Sequence, residues 1–299
     1  MKITNKFNYI SAVALASSTL LLAGCDMFKG KNTDENKSGV DSTSVINANV
    51  GGTVFSIPSP IQTSLLIKKA NAPYDKSLLN LSANLPKYTT NFKKALNLGV
   101  YGADLGYISI YDQTQDALGY LNTVRKLADE MGVASAFDAA LIKRFEANLG
   151  KKDSLIMLVS DGLRASNNFL QNNDRTDVAG LVIAGGWLES LHFTLAVAKS
   201  TNNQEVINRI GEQKSTLNNL IKLLTPSYEK PEYTPFLDAL IELAYDFDKV
   251  EVNYTYIAPT TDEAAKLTTV NSTSEVKISK DLIESISTKV AKIRASVTE

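Results

Sequence analysis

Residues 178–198 constrain the fold of this chain more than any other part of the sequence. They are almost entirely apolar, yet they include Glu189, His192 and three glycines. Polar side chains in the middle of a membrane span are costly, whereas a helix that other helices surround is apolar on every face. We therefore expect this segment to be the central helix of a bundle, with glycines that let neighbouring helices approach closely.

Helical periodicity recurs through most of the remaining chain. Apolar residues repeat at three- and four-residue steps from residue 88 to residue 131, and Ser135 is expected to cap a helix that reaches residue 149. Further helical segments are predicted at residues 61–69, 155–171, 203–224, 236–249 and 280–297. Short polar loops between them favour an all-α antiparallel helical bundle. A helical-repeat array is the alternative, although the usual repeat signatures are missing.

One interval departs from this periodicity. Residues 250–256 alternate valine and tyrosine with polar residues, and residues 268–278 are rich in threonine, valine and serine. β-Branched and aromatic residues favour strands. The sequence therefore predicts a short β-hairpin flap within residues 250–278.

The N-terminus has the features of a secretory signal. Lys2 and Lys6 form a cationic region, and an apolar stretch after them ends in Leu22-Ala23-Gly24-Cys25. These last four residues resemble the lipobox of bacterial lipoproteins. The resemblance implies that residues 1–24 are a signal peptide that is removed, and that Cys25 carries a covalent lipid that anchors the protein to a bilayer.

The lipobox implies a location in the cell envelope, with the outer membrane favoured over the inner membrane. In type, the chain resembles the all-helical lipoproteins of Gram-negative bacteria, a resemblance that implies no particular activity. Cys25 is the only cysteine, so its lipidation leaves no thiol for a disulfide bond. The body must therefore be stabilised by its core.

Residues 26–52 differ in composition from the rest of the chain. Lysine, asparagine, aspartate, serine and glycine dominate them. Such a segment cannot bury enough apolar surface to offset the entropy lost on ordering. We expect residues 25–52 to comprise the lipidated cysteine and a disordered tether, followed by a helical domain at residues 53–299.

The composition excludes several classes of function. With 31 basic and 32 acidic residues, the chain lacks the excess of positive charge typical of nucleic-acid-binding proteins. It has one histidine, no Gly-x-Ser-x-Gly elbow and no glycine-rich phosphate loop. No catalytic residue, metal ligand or cofactor is assigned, apart from the lipid. The leading hypothesis is a non-enzymatic lipoprotein that binds an envelope protein or a small ligand.

Glu189 and His192 are the first candidate ligand-binding residues. They stand three apart on one helix, and this spacing also occurs in ferritin-like di-iron bundles. Those bundles need a second such motif, which a chain with one histidine cannot supply. A metal-handling protein or an enzyme centred on this pair is therefore kept as the alternative function.

The second group of candidate residues is Asp104, Tyr107, Tyr111 and Gln115. In a single helix spanning residues 98–120, these four side chains share one face. Tyrosines combine an apolar body with a polar tip, which suits a partly hydrated ligand. The alternative is a buried seam in which Asp104 accepts a hydrogen bond from a tyrosine hydroxyl. This face is predicted to lie against Glu189 and His192.

Overall fold

A computed structural model describes residues 45–50, 53–134, 139–264 and 267–299. Within these residues the chain forms nine α-helices and six short strands. The helices are α1 (Pro60–Lys69), α2 (Asn91–Ile110), α3 (Thr114–Glu130), α4 (Ala139–Ala147), α5 (Lys152–Asn172), α6 (Thr176–Thr201), α7 (Gln204–Leu224), α8 (Tyr233–Phe247) and α9 (Lys280–Thr298). The strands are β1 (Val45–Val50), β2 (Thr53–Pro58), β3 (Glu251–Thr255), β4 (Thr260–Asp262), β5 (Leu267–Thr269) and β6 (Thr273–Lys277). The predicted all-α bundle with a short β flap is confirmed.

Helix α6 lies at the centre of the bundle, where α1, α2, α5, α7 and α9 all contact it. Among the described residues it is the one helix long and apolar enough to cross a membrane, but 89% of its most apolar window is buried inside the protein. The bundle therefore supplies the apolar surroundings that this helix requires. The sequence-based prediction of a central helix agrees with this position.

Helices α2 and α6 approach each other so closely that their backbones touch. A methyl group built on Gly99 of α2 would overlap the carbonyl oxygen of Val182, and one built on Gly185 of α6 would overlap that of Leu96. Any side chain at these two positions would therefore separate the helices. The glycines of the central helix have the packing role expected from the sequence.

Contacts between distant parts of the sequence distinguish this fold from a repeat array. In a repeat array each unit contacts only its neighbours. Here α9, at the end of the chain, packs against α2, α6 and α8. The bundle is therefore closed by its last helix.

The predicted helix at residues 98–120 is wrong as a single element. Helix α2 ends at Ile110 and α3 begins at Thr114. Between them Asp112 adopts a left-handed backbone conformation with φ of 56°, which aspartate tolerates better than most residues. Apolar periodicity continues across this turn because Tyr111 and Ala117 are both buried against the same core. Ser135, the predicted cap, lies outside the described residues.

The predicted tether also extends too far. Residues 45–50 form β1, which pairs antiparallel with β2 in the register Val50↔Thr53, and this hairpin lies against α5, α6 and α7. The prediction overlooked that this segment contains Val45, Ile46 and Val50, β-branched residues that favour a strand. The folded body includes residue 45, before the predicted boundary at residue 53. Cys25 and the rest of the predicted signal and tether lie outside the described residues.

The β flap is a ribbon between α8 and α9. Strand β3 pairs antiparallel with β6, and β4 pairs antiparallel with β5. In sequence, β4 and β5 lie between β3 and β6. At its base, Val276 is buried near Val250 and against Gly211 of α7. We call residues 251–264 and 267–277 the ribbon.

Candidate functional site

Two wholly buried carboxyl groups and one arginine form a polar centre inside the bundle. Asp104 comes from α2, Glu189 from α6 and Arg294 from α9. Both carboxyl groups are 0% exposed. Buried charges are stable only when they are paired and hydrogen-bonded. We call these three residues the buried polar centre.

Arg294 pairs with Glu189 through two parallel hydrogen bonds. Its Nε donates to Glu189 Oε2 at 2.6 Å, and its Nη2 donates to Glu189 Oε1 at 2.6 Å. The same Nη2 donates to the carbonyl oxygen of Leu78 at 2.9 Å. Burial opposes the charge on Arg294, but the hydrogen bonds and the charge of Glu189 outweigh it and raise the pKa of the guanidinium. This bidentate geometry is the strongest form of an arginine–carboxylate pair.

Asp104 lies beside this ion pair with no cation of its own. Neither of its oxygens accepts a well-aligned hydrogen bond, although the Glu189 carboxyl and the backbone N–H of Asn80 are close enough to interact. Burial raises the pKa of Asp104 well above its ordinary value, and the charge of Glu189 raises it further, while Arg294 acts in the opposite direction. Two ionised carboxylates and one guanidinium would leave a net buried negative charge. The raised pKa favours the protonated form of Asp104, which leaves the buried polar centre without a net charge.

A segment between α1 and α2, residues 70–90, covers the buried polar centre. We call it the strap. Hydroxyl groups of tyrosines on α2, on the turn after it and on α3 bond to the strap backbone at four points. Tyr111 donates to the carbonyl of Ala72 at 2.6 Å, Tyr107 accepts from the N–H of Asp75 at 3.0 Å, Tyr120 donates to the carbonyl of Asn80 at 2.9 Å, and Tyr101 donates to that of Leu81 at 2.9 Å. These bonds hold the strap against α2 and α3.

The strap is also joined to the end of α9. The hydroxyl of Tyr88 donates to the carbonyl of Thr298 at 3.1 Å, and Asn97 on α2 donates to the carbonyl of Val297 at 3.0 Å. The Nδ2 of Asn80 donates both to the Tyr88 hydroxyl and to the side-chain oxygen Oδ1 of Asn97. The strap, α2 and α9 therefore form one hydrogen-bonded unit around the buried polar centre.

His192 lies at the edge of the buried polar centre and is partly buried. Burial lowers its pKa, and the charge of Arg294 acts in the same direction, against the charge of Glu189 and a hydrogen bond with the carbonyl of Leu78. The net direction favours a neutral imidazole. His192 therefore adds a polar contact to the strap without a second charge.

The candidate residues divide into those that the fold brings together and one that it does not. Glu189 lies against Asp104, and Tyr107 stacks on Phe193 of the central helix with ring centroids 4.7 Å apart. The hydroxyl of Tyr111 donates to the backbone carbonyl of Ala72 in the strap. Gln115 is exposed on α3, so its assignment to this face was wrong, because the chain turns at residues 111–113. Ligand binding by the others stays a prediction.

Arg294 is the main residue that sequence reasoning missed. It stands four residues after Val290 on the apolar face of α9, which also carries Ile283, Ile286, Ile293 and Val297. A charged residue on an apolar face predicts a buried partner. This signal was present in the sequence, but it did not identify Glu189 as the partner.

The contacts of Glu189 do not favour the metal-handling alternative. Within the described ranges, no three histidine, cysteine, aspartate or glutamate side chains form a group that could hold a metal ion. Both oxygens of Glu189 already accept from Arg294. A metal ion at Glu189 would have to displace a bidentate ion pair.

Two surface features lie away from the buried polar centre. A groove of about 510 Å³ between α8 and α9 is floored by Phe236, Ile293 and Val297, but its rim carries both signs of charge, in Glu232, Glu242, Lys289 and Lys292. The ribbon exposes a series of large hydrophobic side chains. These are Val252, Tyr254, Tyr256, Ile257, Leu267 and Val270, each between 44% and 73% exposed.

No protein-family model, curated protein or solved structure matches this chain.

The first testable prediction concerns the proton on Asp104. The unfolded carboxyl has a pKa of about 3.9, so above about pH 4 the folded state keeps a proton that the unfolded state releases. The free energy of unfolding should therefore fall as the pH rises from about 4 toward the raised pKa, by up to about 1.4 kcal/mol per pH unit. Asp104→Asn, a neutral donor of similar shape, should remove this contribution.

Urea denaturation of the wild type and of Asp104→Asn between pH 4 and pH 9 measures the difference in slope. Asp112→Asn is the matched control, because Asp112 is exposed and asparagine also accepts its left-handed backbone. Its slope should follow that of the wild type. Equal slopes for Asp104→Asn and the wild type would show that Asp104 is ionised in the folded state.

Proposed function

We propose that this chain is a lipid-anchored protein of the cell envelope, held in the outer membrane, that acts as a non-enzymatic interaction protein and docks through its ribbon. The observation that carries the docking role is the hydrophobic surface of the ribbon. Six of the ten exposed large hydrophobic residues in the described part of the chain lie between residues 252 and 270. The other four, Leu81, Met157, Tyr228 and Tyr245, are scattered over the body.

Clustered exposed hydrophobic side chains mark interaction sites, whereas single ones are normal on any surface. Two of the six are tyrosines, which protein interfaces favour. A two-stranded ribbon is marginally stable in water. Within the described residues, the ribbon is therefore the surface whose hydrophobic side chains would lose most contact with water on binding a partner.

The chemistry of the ribbon favours a protein partner over a bilayer. Its far end carries Asp262 and Glu263, and threonines fill much of β4 and β5. Acidic side chains are repelled by anionic lipid surfaces, which attract lysine and arginine. The ribbon therefore suits contact with another protein.

The buried polar centre supports a non-enzymatic role. Asp104 and Glu189 are 0% exposed, and the strap is bonded across them by four tyrosines. A substrate would have to open these contacts before it reached either carboxyl group. The polar centre is better suited to joining α2, α6, α9 and the strap.

The lipid anchor gives a direct prediction. Cells that express the wild type should incorporate labelled palmitate into this protein, because Cys25 completes the lipobox. Cys25→Ala should abolish the label and release the protein from the membrane fraction. Persistent labelling in Cys25→Ala would contradict both the anchor and the envelope location that rests on it.

Docking through the ribbon is tested by site-specific photo-crosslinking in intact cells. A photoreactive amino acid at position 254 should give a protein adduct of defined mass. The control is position 245 on α8, since Tyr245 is 58% exposed and Tyr254 is 63% exposed. Position 245 should give no adduct. Lipid adducts alone at position 254, or no adduct at all, would contradict a protein-docking role.

A further inference from the structure

We propose that the partner of the ribbon is a second copy of this chain, which pairs antiparallel along the free edge of β3 so that two ribbons form one four-stranded sheet. The inference rests on the proposed docking function and names its partner. Among the residues that the structure describes, β3 pairs with β6 alone, and none of these residues forms a strand along its other edge. All five residues of β3 are exposed.

The hydrophobic face of β3 continues a face that is buried at the base of the ribbon. Val252 pairs with Val276, so the two side chains lie on the same face. Val276 is 5% exposed because it packs against α7, whereas Val252 is 44% exposed. Tyr254, two residues further on, lies on the same face and is 63% exposed. The helical bundle therefore covers this face at Val276, at the base of the ribbon, and leaves Val252 and Tyr254 exposed.

A two-fold pairing centred on Asn253 is self-complementary. It places Val252 opposite Tyr254 of the partner subunit, and Tyr254 opposite Val252 of the partner subunit. Pairs of an aromatic and a β-branched residue are among the stabilising cross-strand contacts. The same register keeps both hydrophobic faces on one side of the new sheet. A closed two-fold contact of this kind limits assembly to a dimer.

Charge selects the β3 edge over the β6 edge. Glu251 is the one charged residue of β3, and the pairing places it opposite Thr255 of the partner subunit. The equivalent pairing of two β6 strands is centred on Glu275 and would place two glutamates opposite each other. Like charges directly opposite each other destabilise a strand pair. The β3 edge can therefore meet a second copy without repulsion.

The pairing also doubles the width of the sheet. Sheets of three or more strands with a hydrophobic face are independently stable, whereas a two-stranded ribbon is marginal. Two ribbons paired through β3 give four strands in the order β6-β3-β3-β6. Val252 and Tyr254 of both copies would then lie together on one face.

The register is tested by a cysteine at the two-fold axis. In the full chain with Cys25→Ser, the Asn253→Cys substitution provides the only thiol. Oxidation should give mostly covalent dimer, because the two Cα atoms at the axis lie within disulfide range. Thr255→Cys is the matched control on the same strand and face. Its two thiols would be about four residues apart along the strand, and it should give at least tenfold less dimer.

The oligomeric state of the lipidated wild type in excess detergent gives an independent measurement. Sedimentation should show twice the mass of one chain. Tyr254→Lys should convert it to a monomer with an unchanged melting temperature, because Tyr254 lies on the exposed ribbon. Tyr245→Lys on α8 should leave the dimer intact.

The outcomes separate this inference from the function on which it rests. A wild type that sediments as a monomer, with equal cross-linking at positions 253 and 255, would overturn self-pairing. If position 254 then still gives photo-adducts with a different protein, the ribbon keeps its docking role. If it gives none, both proposals fail.

Discussion

Replacing Arg294 with methionine is expected to destabilise the fold by about 3 to 5 kcal/mol, because it leaves a buried carboxylate without its partner. Glu189 is 0% exposed and receives both of its side-chain hydrogen bonds from Arg294. The substitution also removes the hydrogen bond to the carbonyl of Leu78, so the strap should loosen with α9. Urea denaturation followed by circular dichroism measures the change in the free energy of unfolding.

A second variant separates the lost ion pair from lost packing. Glu189→Met combined with Arg294→Met removes both charges, and the double variant should be more stable than Arg294→Met alone. Lys292→Met is the matched control, because Lys292 is an exposed basic residue on the same helix. It should change stability by less than about 0.5 kcal/mol. A loss below about 1 kcal/mol for Arg294→Met would show that the ion pair is not essential to the fold.

Gly185→Ala is expected to cost about 3 kcal/mol, the upper part of the usual range for overpacking. The added methyl group would overlap the backbone carbonyl of Leu96, which cannot change rotamer to make room. Helices α2 and α6 would have to separate, and Asp104 and Glu189 lie on these same two helices. The melting temperature and the free energy of unfolding report the effect.

Gly119→Ala is the matched control for this substitution. Gly119 lies within α3 and a methyl group there would meet no atom within 4 Å. Since alanine favours a helix by about 1 kcal/mol over glycine, this variant should be as stable as the wild type or more so. Similar losses in both variants would mean that glycine at position 185 has no special role in helix packing.

The fold and the proposed function divide the molecule into two parts. The bundle and the strap enclose the buried polar centre, whose side chains join α2, α6 and α9. The ribbon leaves its hydrophobic side chains outside. A residue that joins helices should therefore alter stability when it is replaced, whereas a residue on the ribbon should alter association at constant stability.

Several elements could be predicted from the sequence because their signals are local or depend on composition. Residues 178–198 are apolar on every face, and that pattern is stable only inside a bundle. Alternating valines and tyrosines predicted the strands of the ribbon. The helical segment predicted at residues 203–224 is observed as α7, and Asn203 caps it by accepting from the N–H groups of Glu205 and Val206.

The partners of the polar residues depended on tertiary structure. Asp104 and Glu189 could be named as candidates, but the pairing of Glu189 with Arg294 joins residues 105 positions apart in sequence. No periodicity encodes such a contact. The strap was not predicted as an element, because its regular structure is limited to two short 3₁₀ helices and its position depends on hydrogen bonds to tyrosines of other elements. The turn at residues 111–113 was missed because burial on both sides of it continued the helical spacing.

The sequence by itself therefore determined the helical class, the central helix, the ribbon and the presence of a few polar groups that needed burial. Those features follow from the type and spacing of neighbouring residues. Only the tertiary structure decided that Arg294 pairs with Glu189, and that burial raises the pKa of Asp104, which has no cation of its own. The physical reason is that a buried charge is balanced by whatever the fold brings within a few ångströms, and that distance is set by packing rather than by separation along the chain.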